Sequence, residues 1–291
     1  MSGLLYPMGL NAPGYTPDPE KCKVWYFGVP FDATVCYLAG CRFGPKVFRE
    51  AFLQNEVYDI RTGTNLLDIG FFDLGDMEPV RESAEKTLQR VKAQTAHILE
   101  KGKFPLMIGG EHTLTAGAVW ACAEKFKDVK VVQFDAHDDL RTDFEGSRFD
   151  HACAMNLCVE KIGMKNLMGI GIRASPQSSS KFKDRTIYRY QLRDNFEAAR
   201  KELLDFVKDA NVYITVDMDC FDPGIAPGVG TPEPDGMLYH EVLGLIKVLK
   251  NAKKIVGMDI VELRPLPDNN VTEMTASKLF METVAQLKDK I

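Results

Sequence analysis

Two short segments place carboxylate and imidazole side chains at alternating positions, a pattern suited to binding divalent cations. The first carries Asp135, His137 and Asp139, and the second carries Asp217 and Asp219. Each segment directly follows a run of apolar residues that is typical of a buried strand. Side chains alternate between the two faces of an extended chain, so the members of each segment point the same way. Crowded carboxylates repel one another unless protons or cations neutralise them, so the pattern predicts a metal site.

A second imidazole belongs to the same prediction. His112 closes the segment Gly109-Gly-Glu-His112, which also follows an apolar run and precedes a predicted helix. The candidate ligands then comprise two imidazoles and four carboxylates, without a thiolate: His112, Asp135, His137, Asp139, Asp217 and Asp219. Oxygen-rich sets of this kind suit Mn²⁺ better than a structural Zn²⁺ site. Four carboxylates balance two divalent ions, which can hold a nucleophilic hydroxide between them.

The elements that must position these residues alternate along the chain between short β-rich runs and amphipathic helical stretches. The predicted strands are Val24–Val29, Leu66–Asp73, Pro105–Gly109, Lys130–Phe134, Leu167–Ile172, Asn211–Val216 and Lys254–Ile260. The predicted helices are Glu82–Glu100, Thr115–Phe126, Asn195–Asp209, Leu238–Asn251 and Thr272–Leu287. Nearly continuous apolar strands are typical of parallel sheets covered on both faces. The alternation predicts a three-layer α/β/α fold, with ligands at the carboxyl ends of the strands.

Composition limits the classes of function. The 291 residues contain no linker or repeat, which indicates one domain over residues 1–291 with residues 1–20 as an N-terminal extension. A net charge of −5 without a lysine cluster argues against nucleic acid as a partner. The chain has no apolar run of the roughly 18 residues that cross a bilayer, so no membrane contact is expected. Seven scattered cysteines without a CxxC pair indicate reduced thiols and a cytoplasmic location.

Several motifs together resemble those of the ureohydrolase (arginase/agmatinase) family, and most closely those of its prokaryotic agmatinase branch. They occur in the family order over almost the whole chain. The motifs are Gly28-Val-Pro-Phe-Asp32, Gly40-Cys-Arg-Phe-Gly-Pro45, Asp73-Leu-Gly-Asp76, Gly109-Gly-Glu-His112, Phe134-Asp-Ala-His-Asp-Asp139, Asp217-Met-Asp-Cys-Phe-Asp-Pro223, Ala226-Pro-Gly-Val-Gly-Thr-Pro232 and Asp259-Ile-Val-Glu262. One motif alone would be weak evidence, but this ordered set identifies the family.

The resemblance implies an eight-stranded, mainly parallel sheet and two Mn²⁺ ions per subunit, with other divalent metals as an alternative. It also implies a homo-oligomer, either a trimer or a hexamer, and a small guanidino compound as substrate. The implied metal ligands are His112 and Asp139 on one ion, His137 and Asp219 on the other, and Asp135 and Asp217 bridging both.

The same resemblance implies three catalytic roles. Glu262 would bind the guanidinium group through two-point pairing, although from its own surroundings it would be read as a surface glutamate. His151 would carry a proton to the leaving amine, and Asp139 would also hold the hydroxide and stabilise the tetrahedral intermediate. Attack of the metal-bridging hydroxide on agmatine would give putrescine and urea.

The chain departs from the family pattern at four positions. Asp150 replaces a common Ser before His151, and the added carboxylate is expected to raise the histidine pKa and favour its acid form. Arg264 replaces a common Asn, which affects the expected shape of the pocket. Glu111 and Thr113 replace the more frequent Asp and Ser, and these changes are expected to be mild.

The far end of the substrate depends on the loop before His151 and the segment after it. Residues 152–156 are too apolar to suit an amino-acid head group, which disfavours arginine. Glu145, with Asp143, is the candidate acid for the distal amine of agmatine. If Arg141 or Arg148 lined the pocket instead, an anionic tail such as that of guanidinobutyrate would fit better. Agmatine is favoured, with guanidinobutyrate, another guanidino acid and arginine as alternatives.

Two readings from other classes remain at this point. A zinc-dependent deacetylase-like enzyme would keep the Asp135–His137 pair but hold one metal, whereas Asp217 and Asp219 favour two. A non-catalytic metal-binding relative would be expected to lack the proton shuttle or the substrate anchor, yet His151 and Glu262 are both present.

Overall fold

A computed structural model describes the backbone of residues 5–6 and all of residues 18–177 and 184–291. Nine strands form one sheet in the order β1-β5-β2-β6-β11-β10-β7-β8-β9, and β3 and β4 form a small hairpin. Eight of the nine strands are parallel, and only β1 at the edge runs antiparallel, against β5. The strands are Leu5–Tyr6 (β1), Val24–Val29 (β2), Tyr58–Asp59 (β3), Thr64–Asn65 (β4), Phe71–Met77 (β5), Phe104–Gly109 (β6), Val129–Phe134 (β7), Leu167–Ile172 (β8), Thr186–Tyr188 (β9), Asn211–Asp217 (β10) and Lys254–Val261 (β11).

Helices cover both faces of the sheet and make it the middle of three layers. They are Gly44–Phe52 (α1), Ala84–Glu100 (α2), Thr115–Lys125 (α3), Ala154–Ile162 (α4), Arg189–Asp194 (α5), Phe196–Val207 (α6), Tyr239–Ile246 (α7) and Val271–Leu287 (α8). One apolar core packs α1 and α5 to α8 on one face, and a second core packs α2, α3 and α4 on the other. Strand β2 contributes side chains to both cores. Val24 and Tyr26 belong to the first core, and Trp25 and Phe27 belong to the second. The predicted α/β/α architecture is confirmed.

The strand register places the carboxyl ends of the four central strands side by side. Val216 of β10 pairs with Phe134 of β7 on one side and with Ile260 of β11 on the other, and Ile260 pairs with Ile108 of β6. These four buried residues form one row across the sheet. The polar residues that directly follow them therefore emerge together at one edge, although they are far apart in sequence.

Strand β5 is attached to α1 through a buried ion cluster. Arg49 of α1 is 1% exposed, and its guanidinium contacts both Asp73 oxygens at 2.7 and 3.0 Å and Asp76 Oδ1 at 2.5 Å. Paired and hydrogen-bonded charges can be buried in this way, whereas a single one could not. The motif Asp73-Leu-Gly-Asp76 therefore anchors a helix and does not contribute metal ligands.

Most predicted elements are present, but two boundaries are wrong. The predicted strand Leu66–Asp73 is a 3-10 turn at Leu66–Asp68 followed by β5 from Phe71, because Gly70 at φ +72° turns the chain between them. The predicted helix Leu238–Asn251 is divided into α7 and a 3-10 segment from Lys247 to Asn251. The short elements β1, β3, β4, β9, α1, α4 and α5 were not predicted, since they span too few residues to show a clear period.

The single-domain assignment stays a prediction, and much of the predicted extension over residues 1–20 lies outside the described residues. Within the described residues, no helix combines the length and apolarity that crossing a bilayer requires.

Gly110 joins β6 to the loop that follows β2. Its N–H donates to Val29 O at 3.0 Å, and the next N–H, that of Glu111, donates to Phe31 O at 2.9 Å. A Cβ atom at Gly110 would lie only 1.8 Å from Phe31 O, so the two backbone segments meet where no side chain fits. This close approach fixes where His112 leaves the sheet.

We expect Gly110→Ala to lower the free energy of unfolding by about 1–3 kcal/mol, because the added methyl must displace backbone rather than a flexible side chain. Gly244→Ala is the matched control, since its added Cβ would meet only Phe196 at 3.4 Å within α7. In a helix that change is expected to be neutral or stabilising by roughly 0.5–1 kcal/mol. Chemical denaturation measures both variants, and equal stabilities would contradict the steric argument.

Candidate metal centre and substrate cavity

The same local turn shapes both acidic segments. Asp135 Oδ1 accepts the N–H of His137 at 2.7 Å, and Asp217 Oδ1 accepts the N–H of Asp219 at 2.8 Å. A short carboxylate that accepts from the backbone two residues on is the Asx turn. The turn bends the chain at the end of β7 and β10, and the other oxygen of each aspartate, Oδ2, faces His112 Nδ1.

Ligand atoms converge in two groups that share one residue. His112, Asp135 and Asp139 offer atoms within 4.8 Å of one another, and so do Asp135, His137 and Asp219. Asp135 directs Oδ2 to His112 Nδ1 at 3.0 Å and Oδ1 to His137 Nδ1 at 3.8 Å, so its carboxylate faces both groups. The arrangement could hold two adjacent cations with the Asp135 carboxylate between them.

The geometry around His112 tests whether a cation fits. Its ring is 1% exposed, and Nδ1 makes no hydrogen bond to any described residue. Three carboxylate oxygens nevertheless lie close to that atom, from Asp135 at 3.0 Å, Asp139 at 3.0 Å and Asp217 at 3.3 Å. Atoms that crowd together without bonding to one another surround a common point that a metal ion fits. Asp217 thereby joins the first group.

The electrostatics of the cluster lead to the same conclusion. Burial, followed by the negative charges of Asp219 and Asp139, raises the pKa of Asp135 to about 7. Burial and the charges of Asp219 and Asp135 likewise raise the pKa of Asp217. Burial would also raise the pKa of Asp219, but the charge and hydrogen bond of His137, together with bonds from Ala136 and Asp217, outweigh it and lower the pKa. Keeping these carboxylates ionised in one buried region requires compensating positive charge.

A second layer of hydrogen bonds holds the ligands. Thr215 Oγ1 lies 2.9 Å from His112 Nε2, which leaves Nδ1 as the ligand atom. Gln133 donates to Asp135 Oδ2 at 2.8 Å, and Thr231 donates to Asp219 Oδ2 at 3.1 Å. Outer partners of this kind fix ring orientation and ligand basicity in metal sites.

Two site residues adopt the left-handed backbone conformation that non-glycine residues rarely occupy, Asp139 at φ +50° and Glu262 at φ +59°. Glu262 is held there from both sides: its N–H donates to Gly110 O at 2.8 Å, and its Oε1 accepts the N–H of His112 at 2.8 Å. Strain held in place by surrounding structure is concentrated at functional sites. Burial raises the pKa of the Glu262 carboxyl to about 7, with Glu111 adding to the effect, so a bound cation would favour its ionised form.

His151 lies beside the cluster in the loop between β7 and α4. Its Nδ1 is 3.2 Å from Asp150 Oδ1, and its Nε2 is 3.4 Å from Cys36 Sγ. Burial lowers the pKa of His151, but the bond with Asp150 and the charges of Glu262 and Asp139 outweigh it and raise the pKa to about 11. The expected effect of Asp150 on the histidine is thus present in the structure, and it favours the protonated ring.

A cavity of about 340 Å³ connects the metal centre with the surface. Its walls include the predicted site residues His112, His137, Asp139, His151, Asp217 and Glu262. Asp135 and Asp219 lie deeper, buried beneath these side chains. The volume is within the range of small-molecule sites. The structure therefore brings the six proposed ligands together with His151 and Glu262 in one place.

Glu145 is the predicted site residue that the structure does not bring to this cavity. It is exposed at φ +47° in its loop, and the cavity wall there is formed by Arg141 and Phe144, with the guanidinium carbon of Arg141 4.9 Å from the Phe144 ring centre. The loop glutamate that lines the cavity is instead Glu233, whose Oε1 lies 3.7 Å from His137 Nε2. The Pro/Gly-rich composition of residues 222–236 indicated an ordered loop beside the metals, but not which side chain would enter the cavity.

Further residues of the site had no signal in the sequence. Cys36 reaches the cavity from the loop after β2, and Ser175 reaches it from the loop after β8. Asp138 bonds to Ser175 at the same wall. Arg264, whose effect on the pocket was in question, directs its Nε away from the cavity to Ala39 O at 3.0 Å.

Comparison with known proteins identifies the family. A model of the arginase family matches residues 22–285. The chain belongs to the arginase family. Agmatinase of Bacillus subtilis is 33% identical over 271 residues, which cover 91% of this chain and 92% of that protein. N(1)-aminopropylagmatine ureohydrolase of Thermococcus kodakarensis is 34% identical over 274 residues, covering 93% and 92%.

The solved structures agree with this assignment. The crystal structure of agmatine ureohydrolase of Thermoplasma volcanium superposes with a TM-score of 0.88 at 36% identity, over 98% of each chain. This arginase-family protein is therefore a ureohydrolase, a hydrolase of amidino carbon–nitrogen bonds, on an arginase-like α/β fold. Its His/Asp cluster provides the residues that could bind metal.

Because Asp135 serves both ligand groups, we expect Asp135→Asn to weaken divalent-metal binding by more than the roughly 10–100-fold loss seen when an outer partner is removed. Elemental analysis after gel filtration in Mn²⁺ measures the bound metal. Asp143→Asn is the matched control, an exposed carboxylate in the loop after β7 that belongs to neither group. A wild-type metal content in Asp135→Asn would contradict the shared-ligand arrangement.

Proposed function

We propose that this ureohydrolase hydrolyses agmatine to putrescine and urea with two Mn²⁺ ions in its His/Asp cluster. The observation that carries the proposal is the position of Glu262, a buried carboxylate that lines the same cavity as His112, Asp139 and Asp217. A planar, always-charged guanidinium group is the natural partner of such a carboxylate, because two parallel hydrogen bonds can form between them.

The two ligand groups support a binuclear centre. In this proposal His112 and Asp139 would hold one ion, His137 and Asp219 would hold the other, and Asp135 and Asp217 would be shared by both. When bound, such ions act as Lewis acids and make water nucleophilic at neutral pH. The donor set of nitrogen and oxygen atoms favours Mn²⁺, since thiolate ligands are absent from both groups among the described residues.

The protein residues would supply orientation and proton transfer. Pairing of the guanidinium with Glu262 aims its central carbon towards the metal cluster, which converts binding energy into alignment. Addition of water to that carbon and cleavage of its bond to the alkyl nitrogen give urea and an amine, and the amine nitrogen must gain a proton. His151 supports this role because it lies in the cavity wall and its pKa is raised beside Asp150, which favours the protonated ring.

The choice of agmatine rests on charge. Glu233 lines the cavity, and no side chain among the described residues donates a hydrogen bond to its carboxylate; its backbone carbonyl accepts from Arg173 Nη2 at 2.9 Å. It is therefore a fixed acidic position for the distal ammonium of a diamine-type tail. Arg141 lines the same cavity, and its positive charge would instead suit an anionic tail. Guanidinobutyrate is therefore the second candidate. Relatives named agmatinase and N(1)-aminopropylagmatine ureohydrolase support the cationic tail.

Urea release from Mn²⁺-loaded protein tests the function and the substrate together. We expect turnover with agmatine to exceed turnover with arginine, guanidinobutyrate and guanidinopropionate, with aminopropylagmatine as a further cationic substrate.

In Glu233→Gln we expect KM for agmatine to rise roughly fivefold, the scale of a partly exposed ion pair of about 1 kcal/mol, while kcat is unchanged. KM for guanidinobutyrate should stay the same or fall. A preference for guanidinobutyrate would overturn the agmatine assignment, and one Zn²⁺ per chain without urea release would overturn the function.

Glu262→Gln keeps the shape of the guanidinium anchor and removes its charge. We expect kcat/KM for agmatine to fall roughly 30-fold or more, the scale of breaking a buried charge pair, with metal content unchanged. Glu145→Gln removes an exposed glutamate from the loop before His151 and serves as the control. If Glu145→Gln reduced turnover as much as Glu262→Gln did, the acidic contact first predicted for Glu145 would be reinstated.

A further inference from the structure

A buried carboxylate beside the metal centre has no part in metal or substrate binding. Glu111 is 0% exposed and immediately precedes the ligand His112, yet its oxygens face away into the loop after β2. Oε2 accepts the backbone N–H of Thr34 at 2.8 Å, and Oε1 accepts the Thr34 hydroxyl at 2.7 Å. The hydroxyl of Thr113 donates to the same Oε1 at 2.8 Å. In each of these contacts the partner donates a hydrogen bond to Glu111, and a buried carboxylate requires such donors.

The bond to Glu111 fixes the direction in which Thr34 acts. A hydroxyl has one proton to donate, and the short bond to the carboxylate uses it. The lone pairs of Thr34 Oγ1 are then free to accept, and one of them accepts the N–H of His151 at 3.0 Å. Glu111, Thr34 and His151 thus form a directional chain from the end of β6 to the loop that carries the histidine.

The same loop also contacts the ring of His151. Cys36 follows Thr34 by two residues, and its Sγ lies 3.4 Å from His151 Nε2. The two hydrogen bonds between Glu111 and Thr34 therefore fix a loop that contacts His151 twice. Thr34 contacts its backbone N–H, and Cys36 contacts its ring. Asp150 Oδ1 lies 3.2 Å from the opposite ring nitrogen, so the polar contacts of the ring that the structure describes come from the loop after β2 and from the residue before His151.

We infer that Thr34, anchored by Glu111, is a positioning residue that sets where the His151 ring stands in the cavity. The inference rests on the proposed role of His151 in protonating the leaving amine. Thr34 does not line the cavity and touches neither a metal ligand nor the substrate space, so its effect passes through His151. A histidine displaced by even about 1 Å would be poorly placed for proton transfer, at a cost of up to roughly 100-fold in rate.

The closing experiment compares three substitutions in the full-length protein loaded with Mn²⁺. Thr34→Val keeps the shape and removes the hydroxyl, Thr34→Ser keeps the hydroxyl, and Thr113→Val removes a hydroxyl from Glu111 that has no bond to His151. In Thr34→Val we expect kcat for agmatine to fall roughly 10–100-fold, with KM within about twofold and metal content unchanged. Thr34→Ser and Thr113→Val should both stay within about threefold of the wild-type kcat.

Three results would overturn the inference: wild-type kcat in Thr34→Val, no recovery in Thr34→Ser, or an equal loss in Thr113→Val. A second readout is independent of turnover. In ¹⁵N-histidine-labelled protein, which contains five histidines, the His151 ring signals are assigned from a His151→Asn spectrum. Thr34→Val should shift them and Thr113→Val should not; unshifted signals in Thr34→Val would refute the positioning role. If the wild type released no urea from any guanidino substrate, the proposed function would fail while the NMR comparison still decided the structural claim.

Discussion

Mutual repulsion among buried carboxylates is the constraint on which this structure depends. Asp135, Asp139, Asp217 and Asp219 are all at most 7% exposed, and the nearby Glu262 is 4% exposed. Such a group is strongly unfavourable unless positive charge compensates it. The two imidazoles supply only part of that charge, and divalent cations could supply the rest. In the proposed function the guanidinium of the substrate would add a further positive charge beside Glu262, so metal binding and substrate binding would depend on the same electric field.

The sheet makes this concentration of charge possible. Four adjacent parallel strands, β6, β11, β10 and β7, end in one row, and each delivers polar residues directly after an apolar one. Two of the backbone N–H groups that emerge there, those of His137 and Asp219, donate to the aspartates of the Asx turns. A rigid parallel sheet is therefore the support that holds like charges closer together than a flexible loop could.

The segment from Gly109 to His112 connects the parts of the site. The backbone of His112 holds Glu262, its ring belongs to the metal centre, and the side chain of the preceding Glu111 holds Thr34 and through it His151. Gly110 permits this arrangement by letting the loop after β2 approach without a side chain between them. His112, Glu262 and His151, to which the proposal gives the roles of metal ligand, substrate anchor and proton donor, are thus positioned by one short segment.

The sequence by itself determined the parts of the site that depend on local geometry. Side-chain alternation at a strand end is fixed by the backbone, so Asp135 with His137 and Asp217 with Asp219 could be paired before the fold was known. The same apolar runs predicted the central strands to within one residue at most ends, and the ordered motifs identified the family and, with it, Glu262 and His151.

Tertiary structure alone decided what the loops present. Glu145 and Glu233 are both acidic residues in loops near the site, and only the path of each loop makes one exposed and brings the other into the cavity. Thr34 and Cys36 carry no signal either, because their contacts with Glu111 and His151 span 77 and 115 residues of sequence. Contacts at such separations follow from how β2, β6 and β7 are ordered in the sheet, and no local pattern encodes that order.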